Sequence, residues 1–182
     1  IPVILTSNSC LTGTDRLAEV AKSHYYDFYI NIQGDEPIID PAVISQLINE
    51  YNTYGEKYIV YNLFKVLDDC ADINGDSIVK VIVNEKDEAM YMSRLPVPFS
   101  KTLVTPIYRQ QIPAYGFTRE ALNIFSQYDK TVNERFEDIE LLRFIDLGYN
   151  IKMSETFVES IAVDFPSDVV KVSNFLEKNE LI

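Results

Sequence analysis

Two hydrophobic periods alternate in the first third of this chain, and that alternation restricts its possible folds more than any other feature. β-rich apolar runs occupy residues 1–6, 28–33 and 58–64. Between them lie segments whose apolar residues recur at helical spacing. In the first, Leu17, Val20, Ala21 and His24 form one stripe. The second opens at Asp40-Pro41, an N-cap aspartate followed by a proline at the first helical position, and continues with Val43, Ile44, Leu47, Ile48 and Tyr51. Pro2 sits near the start of the first run, where a strand tolerates proline. Strand, helix, strand, helix, strand predicts βαβ units and an α/β fold whose sheet is mixed but mainly parallel.

The rest of the chain is less regular. Residues 77–83 are β-branched, residues 89–93 form a shorter partner, and Asn84-Glu85-Lys86-Asp87 lies between them, which predicts an antiparallel hairpin. Pro96, Pro98 and Pro106 mark an irregular excursion. Tyr115-Gly116-Phe117 is expected in a strand before a helix starting near Arg119. A second helix is expected over 134–147, with Ile139, Leu142 and Ile145 inward and Gly148 as its C-terminal cap. Strands over 151–158 and 160–163, then a helix opened by Pro166, complete the chain. No linker or repeat divides it, so residues 1–182 read as one domain.

Composition narrows the chemistry. With 16 basic and 28 acidic residues the net charge is -12, which argues against a nucleic-acid partner. No apolar run approaches the ~20 residues of a membrane helix, and the first ten residues lack the basic lead of a secretory signal. Cys10 and Cys70 are expected to be reduced, as in a cytoplasmic protein. With two cysteines and the single histidine His24, a zinc site or a histidine triad has little material, and His24 reads as structural. Carboxylates, hydroxyls, arginine and a hard metal remain.

Three places suit such chemistry. Gly34-Asp35-Glu36-Pro37 follows a buried strand, where ligands of open sheets bind and where a carboxylate can hold Mg²⁺; the same residues also make an ordinary solvated turn. Val163-Asp164-Phe165-Pro166 repeats the arrangement, with Asp164 either a helix cap or a metal ligand. Thr12-Gly13-Thr14-Asp15-Arg16 lies between the first strand and first helix, where backbone N–H groups can meet an anion or a base edge.

In order along the chain, Thr12-Gly13-Thr14-Asp15-Arg16-Leu17, Asn31-Ile32-Gln33-Gly34-Asp35-Glu36-Pro37, Lys80-Val81-Ile82-Val83-Asn84, Tyr91-Met92-Ser93-Arg94, Tyr115-Gly116-Phe117, Glu137-Asp138-Ile139-Glu140-Leu141-Leu142-Arg143 and Val163-Asp164-Phe165-Pro166 resemble the 3-deoxy-manno-octulosonate (Kdo) cytidylyltransferase family. The resemblance implies a Rossmann-like nucleotidyltransferase fold with an antiparallel dimerisation excursion. It also implies a homodimer, and Mg²⁺-dependent transfer of CMP from CTP to Kdo for lipopolysaccharide or capsule. It assigns metal binding and catalysis to Asp35 and Asp164, and the nucleotide to Thr12, Gly13, Thr14, Arg16 and Gln33. The sugar falls to Arg94, Gln111, Tyr115, Glu137 and Glu140.

The chain departs from the family pattern in three ways. The family's opening strand and its triphosphate-gripping loop precede the position matched by Ile1, so the sequence reads as N-terminally truncated. Gln111 replaces a histidine, which leaves open another 2-keto acid sugar of the sialic type. Thr12 stands where serine is usual. A catalytically inactive fragment or dimerising module is the remaining alternative. The central excursion, with Phe99, Ile107 and Tyr108, is expected to form the dimer contact.

Overall fold

The computed structural model describes residues 2–102, 104–158, 162–163 and 165–179. Its helices are α1 (Gly13–Ala21), α2 (Pro41–Tyr54), α3 (Cys70–Asn74), α4 (Arg119–Gln127), α5 (Val132–Glu137), α6 (Leu142–Asp146) and α7 (Pro166–Lys178). Its strands are β1 (Phe28–Ile32), β2 (Val60–Leu67), β3 (Lys80–Val83), β4 (Ala89–Ser93), β5 (Tyr108–Thr118) and β6 (Ile151–Glu155). The six strands form one sheet in the order β4-β3-β5-β2-β6, with β1 against the other end of the β5 edge that β3 uses.

The α/β class and the mixed sheet are as expected, but the sheet is not mainly parallel. Among the described residues only β2–β6 is a parallel pair; β1–β5, β2–β5, β3–β4 and β3–β5 are antiparallel. The strands β1, β2 and β6 do share one direction, as helical crossovers require. What the periodicity conceals is β5, which runs the other way and inserts between β1 and β2.

β5 holds a proline in a buried strand because the ladder is interrupted there. Asn62 pairs with Tyr115 but Phe64 pairs with Gln111, so β5 bulges around Pro113, where a missing N–H is tolerated. The buried Asn62 amide donates to the carbonyls of Ile112 (2.7 Å) and Ala114 (2.8 Å), satisfying what the bulge leaves unpaired.

Helices cover both faces. On one, Ala18 and Ala21 of α1, Leu122 and Phe125 of α4 and Leu142 and Phe144 of α6 pack with Val60, Phe117 and Met153. On the other, Val43 and Leu47 of α2 pack on Tyr61, Leu63, Ile112 and Ala114. The start of α2 is as read: Asp40 accepts from the Ala42 amide at 2.7 Å and Pro41 opens the helix.

Three element expectations need correction. Residues 2–6 form no strand, with Val3 and Leu5 84% and 94% exposed, because no described strand lies beside them to complete a ladder. The helix expected over 134–147 is two short helices, broken where Asp138 takes a left-handed conformation (φ 52°); aspartate adopts it more readily than most residues. The strand over 151–158 ends at Glu155. Residues 160 and 161 of the last expected strand, and Asp164, lie outside the described residues, and residues 162–163 form no strand. The hairpin of β3 and β4 and the helices after Thr118 and Phe165 stand as expected.

Candidate active site

A cleft of about 930 Å³ opens along the sheet between the start of α1, the 33–36 turn, residues 76–79 and α7. Its floor includes Gln110, Gln111, Pro113 and Tyr115 of β5, so the bulge lies beneath it.

The α1 end is built by helix capping. Thr12 is the N-cap: its hydroxyl accepts from the Asp15 amide, and the Asp15 carboxylate accepts from the Thr12 amide at 3.0 Å. The next amides, of Gly13 and Thr14, both donate to the Glu140 carboxylate at 3.2 Å, and the Thr14 hydroxyl donates to it as well. A carboxylate at a helix N-terminus is favoured by the helix dipole. The broken helix explains its presence there, since the left-handed turn at Asp138 carries Ile139 and Glu140 to the cleft wall. Burial pushes the Glu140 carboxyl above its ordinary value, opposed by the hydrogen bonds from Thr14 and Gly13.

Tyr115 lies deeper. Burial, with the Glu140 carboxylate beside it, raises its phenol far above the ordinary range, while hydrogen bonds with the Gln33 and Gln111 side chains work against that rise. It is a neutral hydrogen-bonding group at any working pH. Arg94, after β4, is held by three carbonyls: Nε donates to Glu137 at 2.7 Å, Nη1 to Asp76 at 3.0 Å and Nη2 to Asp138 at 3.3 Å. The Glu137 carboxylate in turn accepts from the Ser93 hydroxyl and the Arg94 amide. Arg94 and Glu137 thus clamp β4 to the helix break.

Of the expected site residues, Thr12, Gln33, Asp35, Arg94, Gln111, Tyr115 and Glu140 line this one cleft. Gly13 touches it through Glu140. Thr14 is fully buried and spends its hydroxyl on Glu140 and Asn31, so it supports the start of α1 from behind rather than facing the cleft. Arg16 points away, donating to Thr6 Oγ1 at 2.8 Å and the Ser7 carbonyl. Glu137 sits behind Arg94.

Of the two expected metal ligands only Asp35 lies among the described residues. Asp35 is exposed at the cleft mouth, and its carbonyl accepts from the Val163 amide at 2.9 Å. That bond ties the 35–36 turn to the residue preceding Asp164. No cluster of three His, Cys, Asp or Glu side chains suited to a metal occurs among the described residues. The groups in the described lining that could ligate a metal are carboxylate, amide and carbonyl oxygens, with no histidine or cysteine among them, a set that fits a hard cation such as Mg²⁺.

Lys65, Asp72, Asp76, Gln110, Asp168 and Lys171 also line the cleft and went unseen in the sequence. They come from four separate elements and the loop after α3, and no local pattern joins them. Lys80 is fully buried beneath them. Its Nζ donates to the carbonyls of Gly75 (2.6 Å) and Ile78 (2.5 Å), fixing the 75–78 wall, and burial lowers its affinity for the proton.

Comparison with known proteins places this geometry. Residues 1–163 match the Cytidylyltransferase family. The chain belongs to that family. It is 35% identical over 178 residues to the 3-deoxy-manno-octulosonate cytidylyltransferase of Acaryochloris marina, covering 97% of this chain and 72% of that one. The enzyme of the same name from Chlamydia pneumoniae is 33% identical over 175 residues, covering 95% and 68%. Among solved structures, a CMP:2-keto-3-deoxy-manno-octonic acid synthetase complexed with CTP superposes with a TM-score of 0.88 at 32% identity, covering 97% of this chain and 72% of that chain. The inositol-1-phosphate CTP transferase of T. maritima shares the fold at a TM-score of 0.62 and 14% identity. This cytidylyltransferase is therefore a nucleotidyltransferase in fold and family. None of its described helices is long and apolar enough to cross a membrane.

Proposed function

We propose that this cytidylyltransferase transfers CMP from CTP to Kdo, releasing pyrophosphate, and so supplies activated sugar for lipopolysaccharide or capsule in the cytoplasm. The observation that carries the reading is the single cleft that joins the capped start of α1, the Asp35 turn and the Arg94–Gln111–Tyr115 wall, in a chain superposing on a CTP-bound synthetase of that substrate. Cytidine is assigned to the Thr12 end, where Glu140 holds the loop by its Gly13 and Thr14 amides. The sugar is assigned to the Arg94, Gln111 and Tyr115 end.

In the reaction a sugar hydroxyl oxygen forms a bond to the α-phosphorus, the bond from that phosphorus to the pyrophosphate oxygen breaks, and the hydroxyl proton passes to solvent. Positioning dominates such transfers, and no protein nucleophile is needed. Mg²⁺, held by Asp35 and Asp164, would neutralise phosphate charge when bound. Buried Tyr115 keeps its proton and so offers the sugar a donor without adding charge. We assign the chain a homodimer built on the central excursion.

Pyrophosphate release from CTP and Mg²⁺, with and without Kdo, tests the reading. Kdo-dependent release is expected, and it should vanish in Asp35→Ala with the thermal midpoint unchanged, since Asp35 is exposed. Turnover with a different 2-keto acid sugar and none with Kdo would overturn the substrate.

A further inference from the structure

A phenol oxygen has two lone pairs and one proton to place. Tyr115 lies in the cleft floor with 6% of its surface exposed. Hydrogen bonds from the Gln33 and Gln111 side chains favour its ionised form, which an N–H donor does and an amide oxygen would oppose. For Gln111 the backbone says the same. Its Nε2 donates to the Ile112 carbonyl at 2.5 Å, and a carbonyl only accepts, so the amide cannot be turned over. That nitrogen keeps a second N–H, which meets Tyr115.

The β5 bulge creates the juxtaposition. Residues four apart in a regular strand lie roughly 13 Å from each other. Here Tyr115 pairs with Asn62 and Gln111 with Phe64, so the two are drawn into the span of two β2 residues, roughly 7 Å. Gln111 is 4% exposed and both its N–H groups are in use, so it has no donor left for a ligand. With both lone pairs filled, the Tyr115 oxygen has only its proton left to give. We infer that Gln111 is a positioning residue: with Gln33 it saturates the Tyr115 oxygen and turns the Tyr115 proton toward an acceptor oxygen of the sugar. A hydroxyl held in one direction beforehand loses little freedom when the sugar binds. The inference rests on the proposed function, which puts the sugar at this end, and it makes Gln111 act through Tyr115 rather than on the sugar itself.

A double-variant cycle tests it, read through the Michaelis constants for Kdo and CTP. Tyr115→Phe removes the proton, and Gln111→Met removes the N–H that aims it. Each should raise the Kdo constant about three- to tenfold, as the loss of one hydrogen bond implies, with the CTP constant unchanged. Once Tyr115→Phe is in place, adding Gln111→Met should cost nothing more. Gln111→His keeps an N–H donor of similar reach and should recover most of the loss. Thermal midpoints should stay close together, because the Ile112 carbonyl keeps the Asn62 amide in every variant. Tyr115→Phe, conservative in shape, tests the direction of the proton by itself. Additive losses would put Gln111 on the sugar directly, and a Tyr115→Phe loss confined to CTP would turn the proton toward Glu140. Either result overturns the inference alone, as does a Kdo constant unmoved by Gln111→Met. An unsubstituted protein without Kdo-dependent pyrophosphate release overturns the proposed function and this inference together.

Discussion

Glu134 is a carboxylate without exposed surface, and its partner Arg143 is 3% exposed. Arg143 meets it twice, Nε at 2.7 Å and Nη2 at 2.6 Å, and uses Nη1 on the carbonyls of Phe125 and Tyr128 while its guanidinium lies 3.5 Å over the Phe125 ring. Such a pair contributes little beyond what an apolar pair would, but removing one member strands the other in the interior. Arg143→Met is expected to destabilise the fold by about 3–5 kcal/mol, measured by urea denaturation. The double variant Glu134→Leu, Arg143→Met should recover much of that loss. The same pairing holds α5 against α6 across the break at Asp138, and so holds Glu140 on the α1 amides.

At the scale of elements, the β5 bulge depends on one side chain. Asn62 is the buried donor for two carbonyls that the ladder leaves open, and leucine has nearly its shape but no donor. Asn62→Leu is expected to cost about 1–3 kcal/mol, from the Ala114 carbonyl left unpaired while Ile112 keeps the Gln111 amide, and to raise the Michaelis constants because Pro113 and Tyr115 line the cleft. A shift in the urea midpoint with unchanged kinetics would separate the bulge from the site. Gly116 shows how close the packing is here: a Cβ on it would overlap the Phe28 ring of the neighbouring strand.

The whole molecule titrates at high pH through its tyrosines. The Tyr58 hydroxyl donates to Glu88 at 2.9 Å and that of Tyr61 donates to the Gly55 carbonyl at 2.5 Å; burial first, then nearby carboxylates and tyrosines, push both from 10.0 up to about 12. Between those values the unfolded chain has lost protons that the folded one retains, so stability falls as pH rises. It is full below about pH 10 and should decline between 10 and 12, less steeply in Tyr58→Phe, as thermal midpoints across that window will show. The excursion between β4 and β5 belongs to the same scale. Leu95, Phe99, Val104 and Ile107 are 61–89% exposed on it, too much apolar surface for a solvated arm. A dimer burying at least ~1,000 Å² is expected; sedimentation showing a monomer at micromolar concentration would remove it.

The sequence by itself determined whatever depends on neighbours along the chain. The Asp40-Pro41 start of α2, the β3–β4 hairpin and the placement of Asp35 after a strand all follow from spacing and local hydrogen bonding within a few residues. Tertiary structure decided what depends on which strands lie side by side. β5 between β1 and β2 made the sheet mostly antiparallel and set Lys65 opposite Gln110. The turn at Asp138 brought Glu140 onto amides 126 and 127 residues away, an arrangement no periodicity encodes. Thr14 and Glu137, both singled out by motif, proved to support the site from behind, because burial and the choice of partner are properties of the packed molecule.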